Sequence, residues 1–214
     1  AAGSSERLRS NCLAQNLKYD SDEPDVVETA SQILGQTDRI TRIVQSLVHF
    51  AHAGSKGSDV HTVVDLFECV EEAIHLLSLQ KDRTRVHYNN LMSPDTLVSG
   101  DEQKLTQVFI NLFSNARDAS PSESPIDISA DCVGEKVIVR VRDYGHGIAP
   151  QNIARLFEPF FTTKPAGQGT GLGLALVYSI AEEHGGQIDV KSPVEDDMGT
   201  EFIITLPMVE SADS

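Results

Sequence analysis

Gly167-Gln-Gly-Thr-Gly-Leu-Gly-Leu174 is the segment that decides the fold, because glycines at alternating positions lead directly into a helical pattern over 171–184. Glycine-rich backbone presents unhindered N–H groups, and a helix N-terminus adds a positive field, so the segment predicts a phosphate-binding site. It is not a Rossmann loop, since no strand leads directly into it. It is not a Walker A loop either, since Lys-Ser/Thr does not follow the glycines.

A second segment, Phe157-Glu-Pro-Phe-Phe-Thr-Thr-Lys164, lies just upstream. Its clustered phenylalanines predict a mobile stretch that is pinned to the core, with ordinary core filling as the alternative. Lys164 and nearby Arg155 are two of the few cations in this region. Both are therefore candidates to neutralise phosphate oxygens.

A third segment, Asp143-Tyr-Gly-His-Gly-Ile148, follows a predicted strand. A buried carboxylate at this point can accept a hydrogen bond from an amine such as N6 of adenine, and it repels the carbonyl of guanine. Gly145 and Gly147 allow the backbone to pass close to a flat ring. Taken alone, the segment is equally consistent with a tight turn.

A fourth segment, 107–119, is predicted to be helical and places Asn111 and Asn115 four residues apart, on one helix face. An amide oxygen is a hard donor suited to Mg²⁺, which keeps several waters and bridges phosphate oxygens. Taken alone, two such residues are more typical of a solvated helix face.

In this order, the four segments resemble the N, G1, F and G2 boxes of the gyrase–Hsp90–histidine kinase–MutL ATPase superfamily, over residues 60–207. The strings Phe-Glu-Pro-Phe-Phe-Thr-Thr-Lys and Gly-Thr-Gly-Leu-Gly-Leu are similar to those of the sensor histidine kinase branch. The resemblance implies a Bergerat ATP-binding fold, with ATP and Mg²⁺ as cofactors and residues 144–169 as a lid.

Site residues are carried over position by position from the resemblance. It implies that Asn115 ligates Mg²⁺, Asn111 supports the phosphates and Asp143 recognises adenine, and it assigns no role to Asp118, where many sensor kinases have lysine. The expected nucleotide-binding residues are Asn111, Asn115, Asp143, Gly145, Gly147, Ile148, Arg155, Thr162, Thr163, Lys164, Gly167, Gly169, Thr170, Gly171, Leu172, Gly173, Leu174 and Thr200.

The hydrophobic pattern predicts an α+β protein, a two-layer α/β sandwich, because helices and antiparallel strands mix without regular βαβ units. One helix is expected to be capped by Asp65. The other helices are predicted at 102–119 and 171–184, and the strands at 61–64, 85–91, 96–99, 126–132, 136–142, 187–191 and 201–206.

Residues 25–53 repeat apolar side chains at spacings of four and three, which predicts a long helix with a heptad seam. With a shorter helix at 7–19 it forms a helical hairpin, and a homodimeric bundle through 25–53 is favoured over an intramolecular core helix. The predicted divisions are a cloning remnant at 1–5, a partial dimerisation hairpin at 6–53, a linker at 54–59, the catalytic ATP-binding domain at 60–208 and a tail at 209–214.

The net charge of −15 disfavours binding to nucleic acid or to an anionic membrane. Three widely spaced cysteines, Cys12, Cys69 and Cys132, indicate a reducing compartment and no zinc site. No apolar run approaches the roughly 20 residues of a membrane span, and no signal peptide is visible. We expect a cytoplasmic location, with membrane anchoring of the full-length protein left open.

The choice between a kinase and an ATP-driven clamp depends on Asn111. Hydrolytic members of the superfamily have a glutamate there as general base, and an amide cannot take a proton. Phosphoryl transfer to a histidine, relayed to the receiver domain of a response regulator, is therefore favoured. None of the seven histidines has the acidic neighbour and nearby proline of an acceptor. We expect the sequence to begin just past the acceptor histidine, so that this chain cannot complete autophosphorylation. A clamp ATPase and a catalytically incomplete nucleotide-binding module are the alternatives.

Overall fold

A computed structural model describes residues 27–31, 33, 37, 62–79, 85–165, 169–194 and 198–209. They belong to two compact units, of which the smaller contains the described residues up to 37 together with 163–165 and 169–170. Residues 27–31, 33 and 37 are helical, in agreement with the helix predicted over 25–53. The rest of the predicted hairpin, its dimer face, the linker at 54–59 and residues 1–5 lie outside the described residues.

The larger unit contains two sheets. A five-stranded sheet has the order β2-β4-β5-β7-β6, in which β2 and β4 are parallel and the other pairs antiparallel, and β1 pairs with β3 in a separate antiparallel sheet. The elements in chain order are β1 (Thr62–Asp65), α1 (Leu66–Ser78), β2 (Val86–Asn90), β3 (Leu97–Gly100), α2 (Glu102–Ala119), β4 (Ser124–Val133), β5 (Lys136–Asp143), α3 (Pro150–Ile153), α4 (Gly173–Glu183), β6 (Gln187–Lys191) and β7 (Thr200–Pro207).

Both long helices begin at an aspartate that caps the free N–H groups of the first turn. An Asp65 carboxylate oxygen accepts a hydrogen bond from the backbone N–H of Phe67 at 2.9 Å, which confirms the predicted cap of α1. At the start of α2, Asp101 accepts from Gln103 and Lys104 at 3.0 and 3.1 Å. The observed bounds of α2 are those predicted from the sequence.

The helices pack on one face of the five-stranded sheet. Side chains alternate along β5, where Val137, Val139 and Val141 are buried against the apolar side of α2, including Phe109 and Phe113. The two-layer α+β architecture predicted from the sequence is therefore confirmed. Among the described residues, none of the helices has the length and apolarity that a membrane crossing requires.

Three details differ from the predictions. The β2–β4 pair is parallel, although only antiparallel strands were expected. The segment expected to form a lid, 144–169, contains the one-turn helix α3, which begins at Pro150, a residue suited to a first helical turn. Helix α4 begins at Gly173, two residues later than predicted, because Gly171 has a φ of 67° and lies outside the helical region.

Candidate nucleotide site

Asp143, at the end of β5, is buried with 3% of its surface exposed. Its Oδ1 accepts hydrogen bonds from the backbone N–H groups of Gly145 at 2.9 Å and Thr200 at 3.2 Å. Burial raises the pKa of the Asp143 carboxyl, and these two hydrogen bonds oppose that rise. No residue in the described ranges donates to Oδ2. Oδ2 is thus available to accept a hydrogen bond from a ligand.

The turn after Asp143 is seated on the C-terminal end of α2. The backbone N–H of His146 donates to the carbonyl oxygen of Ala119 at 3.3 Å. A Cβ at Gly145 would lie 2.3 Å from the same oxygen, so only glycine allows this approach. Gly147 has a φ of 71°, which also favours glycine. The predicted base-binding turn is therefore fixed against the predicted metal-binding helix.

One face of α2 links the two ends of the site. Asn111, Asn115 and Ala119 follow each other at intervals of four residues, so they share a face. Ala119 contacts the turn, whereas a Cβ at Gly173, in the first turn of α4, would lie 3.2 Å from Oδ1 of Asn111. At 1.5 Å per residue, these two contacts are about 12 Å apart along the helix, and Asn115 lies between them. The turn after Asp143 and the start of α4 therefore lie at the two ends of the α2 face that carries Asn111 and Asn115.

The N-terminus of α4 is joined to the phenylalanine segment by its backbone. Phe160 N–H donates to the carbonyl of Gly171 at 2.8 Å, and a Cβ at Gly171 would lie 2.3 Å from the Phe160 carbonyl carbon. Phe160 itself has a φ of 67°, a strained conformation for a residue with a side chain. The N-cap of α4 is Leu172, whose side chain makes no capping hydrogen bond to the first turn. The start of α4 presents the positive field of a helix N-terminus, which favours an anion.

The nucleotide contacts predicted for Leu172 and Leu174 stay predictions, and their packed side chains leave only the backbone to make them. Leu172 is 1% exposed, and Leu174 packs against the core, so neither side chain is directed to solvent. Their side chains anchor residues 172–174 in the larger unit. Their peptide groups lie where α4 begins, in the part of the segment predicted to bind phosphate.

Arg155 lies on the surface beside the phenylalanine segment. Its Nε donates to Glu158 Oε2 at 3.0 Å, and its guanidinium carbon is 4.5 Å from the centroid of the Phe161 ring. The predicted role of Arg155 in binding phosphate stays a prediction. Thr162 is exposed in the larger unit. Residues 163–165 and 169–170 belong to the smaller unit, and Gly167 lies outside the described residues, so the nucleotide contacts predicted for Thr163, Lys164, Gly167, Gly169 and Thr170 stay predictions.

Two residues near Asp143 were not predicted from the sequence. Ser192 Oγ accepts from Ile148 N–H at 2.7 Å and donates to the Gly199 carbonyl at 3.0 Å. Gly199, with a φ of 77°, donates its N–H to the Gly145 carbonyl at 2.8 Å. Gly199 precedes Thr200 in a Gly-Thr-x-Phe string that could have identified it. Nothing in the sequence around Ser192 indicates its role.

The donor set fits an Mg²⁺ ion that is held mainly by phosphate and water. Within the described ranges there is no group of three or more His, Cys, Asp or Glu side chains able to hold a metal by themselves. Mg²⁺ typically keeps several waters and takes one or two protein oxygens together with substrate phosphates. The amide oxygen of Asn115 is a donor of this kind.

Residues 100–210 match the family described as histidine kinase-, DNA gyrase B- and HSP90-like ATPases, and the chain belongs to this family. It is 35% identical over 185 residues to the sensor histidine kinase ZraS of Salmonella typhimurium, which covers 85% of this chain and 38% of ZraS. The chain thus spans less than half of that relative's length.

Two solved structures share the fold. The mycobacterial sensor histidine kinase MprB matches with a TM-score of 0.61 and 29% identity, covering 70% of this chain and 98% of that one. The catalytic domain of histidine kinase ThkA matches with a TM-score of 0.61 and 32% identity, covering 69% and 95%. The chain therefore contains the ATP-binding catalytic domain typical of sensor histidine kinases, which confirms the resemblance stated from its motifs.

Proposed function

We propose that this chain transfers the γ-phosphoryl group of ATP to a histidine of a sensor kinase stem, for relay to a response-regulator receiver domain. One observation carries the proposal: the turn after Asp143 and the start of α4 contact the two ends of the α2 face that carries Asn115. In the proposed order, this face begins with a hydrogen-bond acceptor for the base amine. An oxygen donor for Mg²⁺ follows, and then an anion site for the phosphates.

Each part of the nucleotide has a proposed partner. Oδ2 of Asp143 accepts from the adenine N6 amine, the backbone at Gly145 and Gly147 lies along the ring, and Thr200 lines the same pocket. The phosphates bind at the peptide groups of 171–174, while the triphosphate contacts that the resemblance implies for Thr162–Lys164 and Gly167–Thr170 stay predictions. Asn115 would hold Mg²⁺, which would supply charge neutralisation at the phosphate oxygens, and Asn111 would support the phosphates.

Asn111 favours transfer over steady hydrolysis. Its Nδ2 donates to the Gln107 carbonyl at 3.0 Å, which leaves a neutral amide at the position where a hydrolytic relative needs a proton acceptor. Phosphoryl transfer depends on positioning and charge neutralisation more than on acid–base chemistry. The site therefore suits transfer to an external nucleophile.

The acceptor histidine is proposed to lie on a helical stem, in a homodimer formed through residues 25–53. The catalytic domain itself offers a poor acceptor in His184, which is buried with both ring nitrogens hydrogen-bonded. None of the seven histidines has the acidic neighbour and nearby proline of an acceptor, so we expect this chain to bind ATP without phosphorylating itself. Since ATP is intracellular, we propose a cytoplasmic location for the domain.

The test begins with equilibrium binding of an ATP analogue, with and without Mg²⁺. We expect Asp143→Ala to lose affinity and Asp189→Ala, an exposed aspartate on β6, to retain it. A histidine-bearing stem protein of the sensor kinase class is then added with radiolabelled ATP, and acid-labile phosphate on that stem is expected. Rapid phosphate release without a stem protein would instead indicate a clamp ATPase. Equal binding by Asp143→Ala and Asp189→Ala would contradict the nucleotide site.

A further inference from the structure

We propose that Ser192 is a positioning residue for base recognition, which holds the Gly199–Thr200 segment against Asp143 and thereby sets the preference for a purine with an amine at C6. The inference rests on the proposed function, because it concerns the same nucleotide site. Ser192 follows β6 and has no counterpart among the motif residues identified from the sequence.

The hydroxyl of Ser192 joins two separate segments of the chain. It accepts from Ile148 N–H at 2.7 Å, on the turn that follows Asp143. It donates to the Gly199 carbonyl at 3.0 Å and lies 3.3 Å from the Thr200 hydroxyl, at the start of β7. Ser192 therefore links the base-binding turn to the strand that faces it.

The segment held by Ser192 is the one that orients the recognition carboxylate. Thr200 N–H donates to Asp143 Oδ1 at 3.2 Å, and Gly199 N–H donates to the Gly145 carbonyl at 2.8 Å. Loss of the Ser192 hydroxyl leaves the Ile148 N–H and the Gly199 carbonyl without this partner. A small shift of Thr200 then changes the direction in which Asp143 presents Oδ2.

The single proton of the Ser192 hydroxyl also decides whether the Thr200 hydroxyl donates or accepts in their contact. The Gly199 carbonyl can only accept, so the single proton of the Ser192 hydroxyl is directed there. In its contact with Ser192, the Thr200 hydroxyl is consequently the donor, and its oxygen stays an acceptor for other partners. Asp143 Oδ2 and Thr200 Oγ1 then both act as acceptors, an arrangement that favours a base edge carrying an amine.

Gly147 packs closely against the hydroxyl of Ser192. A Cβ at Gly147, where φ is 71°, would lie 3.2 Å from Ser192 Oγ. The turn is thus packed directly on the serine hydroxyl, and this packing transmits a change at residue 192 to the site. A small hydroxyl side chain satisfies both the packing and the three polar contacts.

The experiment compares binding of Mg²⁺-ATP with that of the triphosphate of purine riboside, which lacks the exocyclic amine, in wild type, Ser192→Ala and Ser78→Ala. Ser78 is the matched control, because its hydroxyl also donates to a backbone carbonyl, that of His75, on an exposed helix end. Wild type and Ser78→Ala are expected to prefer ATP by about tenfold or more, the effect of one hydrogen bond to a charged acceptor. Ser192→Ala is expected to reduce that preference by about three- to tenfold.

An unchanged preference in Ser192→Ala overturns the inference, as does an equal loss for both ligands, since a merely structural role lowers both affinities alike. If Ser192→Ala loses its cooperative thermal transition, Ser192→Cys retains the size of the side chain without a strong hydroxyl bond and provides the same comparison. Failure of the wild type to bind ATP contradicts the proposed function, a result distinguishable from the failure of this inference.

Discussion

Replacing Asp143 by asparagine separates the structural role of this side chain from its role in recognition. Its Oδ1 accepts from Gly145 at 2.9 Å and Thr200 at 3.2 Å, and an amide oxygen in the same place can accept both hydrogen bonds. The other atom changes from an acceptor to a donor. Asp143→Asn therefore retains the hydrogen bonds from the backbone and changes only the hydrogen-bonding role of the atom that meets the base.

The expected loss of affinity follows from that single contact. A hydrogen bond to a charged group is worth about 1.5–3 kcal/mol, and each 1.4 kcal/mol is about a factor of ten. Asp143→Asn is therefore expected to weaken ATP binding by about 10- to 150-fold. Binding of GTP is expected to change less, because the new amide can donate to the guanine carbonyl. Isothermal titration calorimetry with both nucleotides measures the difference.

The same substitution is expected to stabilise the protein without nucleotide. Burial raises the pKa of Asp143 above its ordinary value of 3.8, so the folded state binds this proton more readily than the unfolded state. The contribution of the carboxyl to the free energy of unfolding is complete below pH 3.8 and is lost as pH rises through the folded pKa. Asparagine has no such dependence. Asp143→Asn should therefore melt at a higher temperature than wild type at neutral pH, with the difference closing towards pH 3.8.

Asp189→Asn, on the exposed edge of the sheet, is the control for the affinity measurement and should leave ATP affinity unchanged. A folded Asp143→Asn protein that binds ATP as tightly as wild type would refute the assignment of Oδ2 to the adenine amine. A lower melting temperature at neutral pH would refute the claim that burial of this carboxylate is unfavourable.

Three further predictions concern the rest of the site and its support. Asn115→Ala should lower ATP affinity by about tenfold in the presence of Mg²⁺ and have little effect in EDTA, a contrast that calorimetry in the two buffers detects. Gly171→Ala should cost about 1–3 kcal/mol of unfolding free energy and weaken nucleotide binding, because its Cβ would lie 2.3 Å from the Phe160 carbonyl carbon; a urea titration with unchanged midpoint would contradict this. His184→Phe should cost about 1–3 kcal/mol, since the buried His184 ring accepts from the Asp101 N–H through Nε2 at 3.0 Å, yet leave the preference for ATP over the amine-free analogue unchanged.

The local sequence predicted those features that depend on neighbouring residues. Helix α2 has the bounds expected from its pattern, because Asp101 caps its first turn and Pro121 follows its end. Alternation along β5 correctly placed Asp143 at the end of a half-buried strand. The spacing of Asn111 and Asn115 placed both on one face, which is a property of the helix alone.

The tertiary structure decided which of these faces meet. The approach of Gly145 to Ala119, the contact of Gly173 with Asn111 and the parallel pairing of β2 with β4 all join residues far apart in the chain. Ser192 belongs to the site for the same reason, because the tertiary fold brings Ile148 and Gly199 to its hydroxyl. Backbone contacts of this kind depend on how layers pack and leave no periodic signal in the residues that make them. The sequence by itself therefore determined the elements and the chemical groups of the nucleotide site, and only packing determined how they are held together.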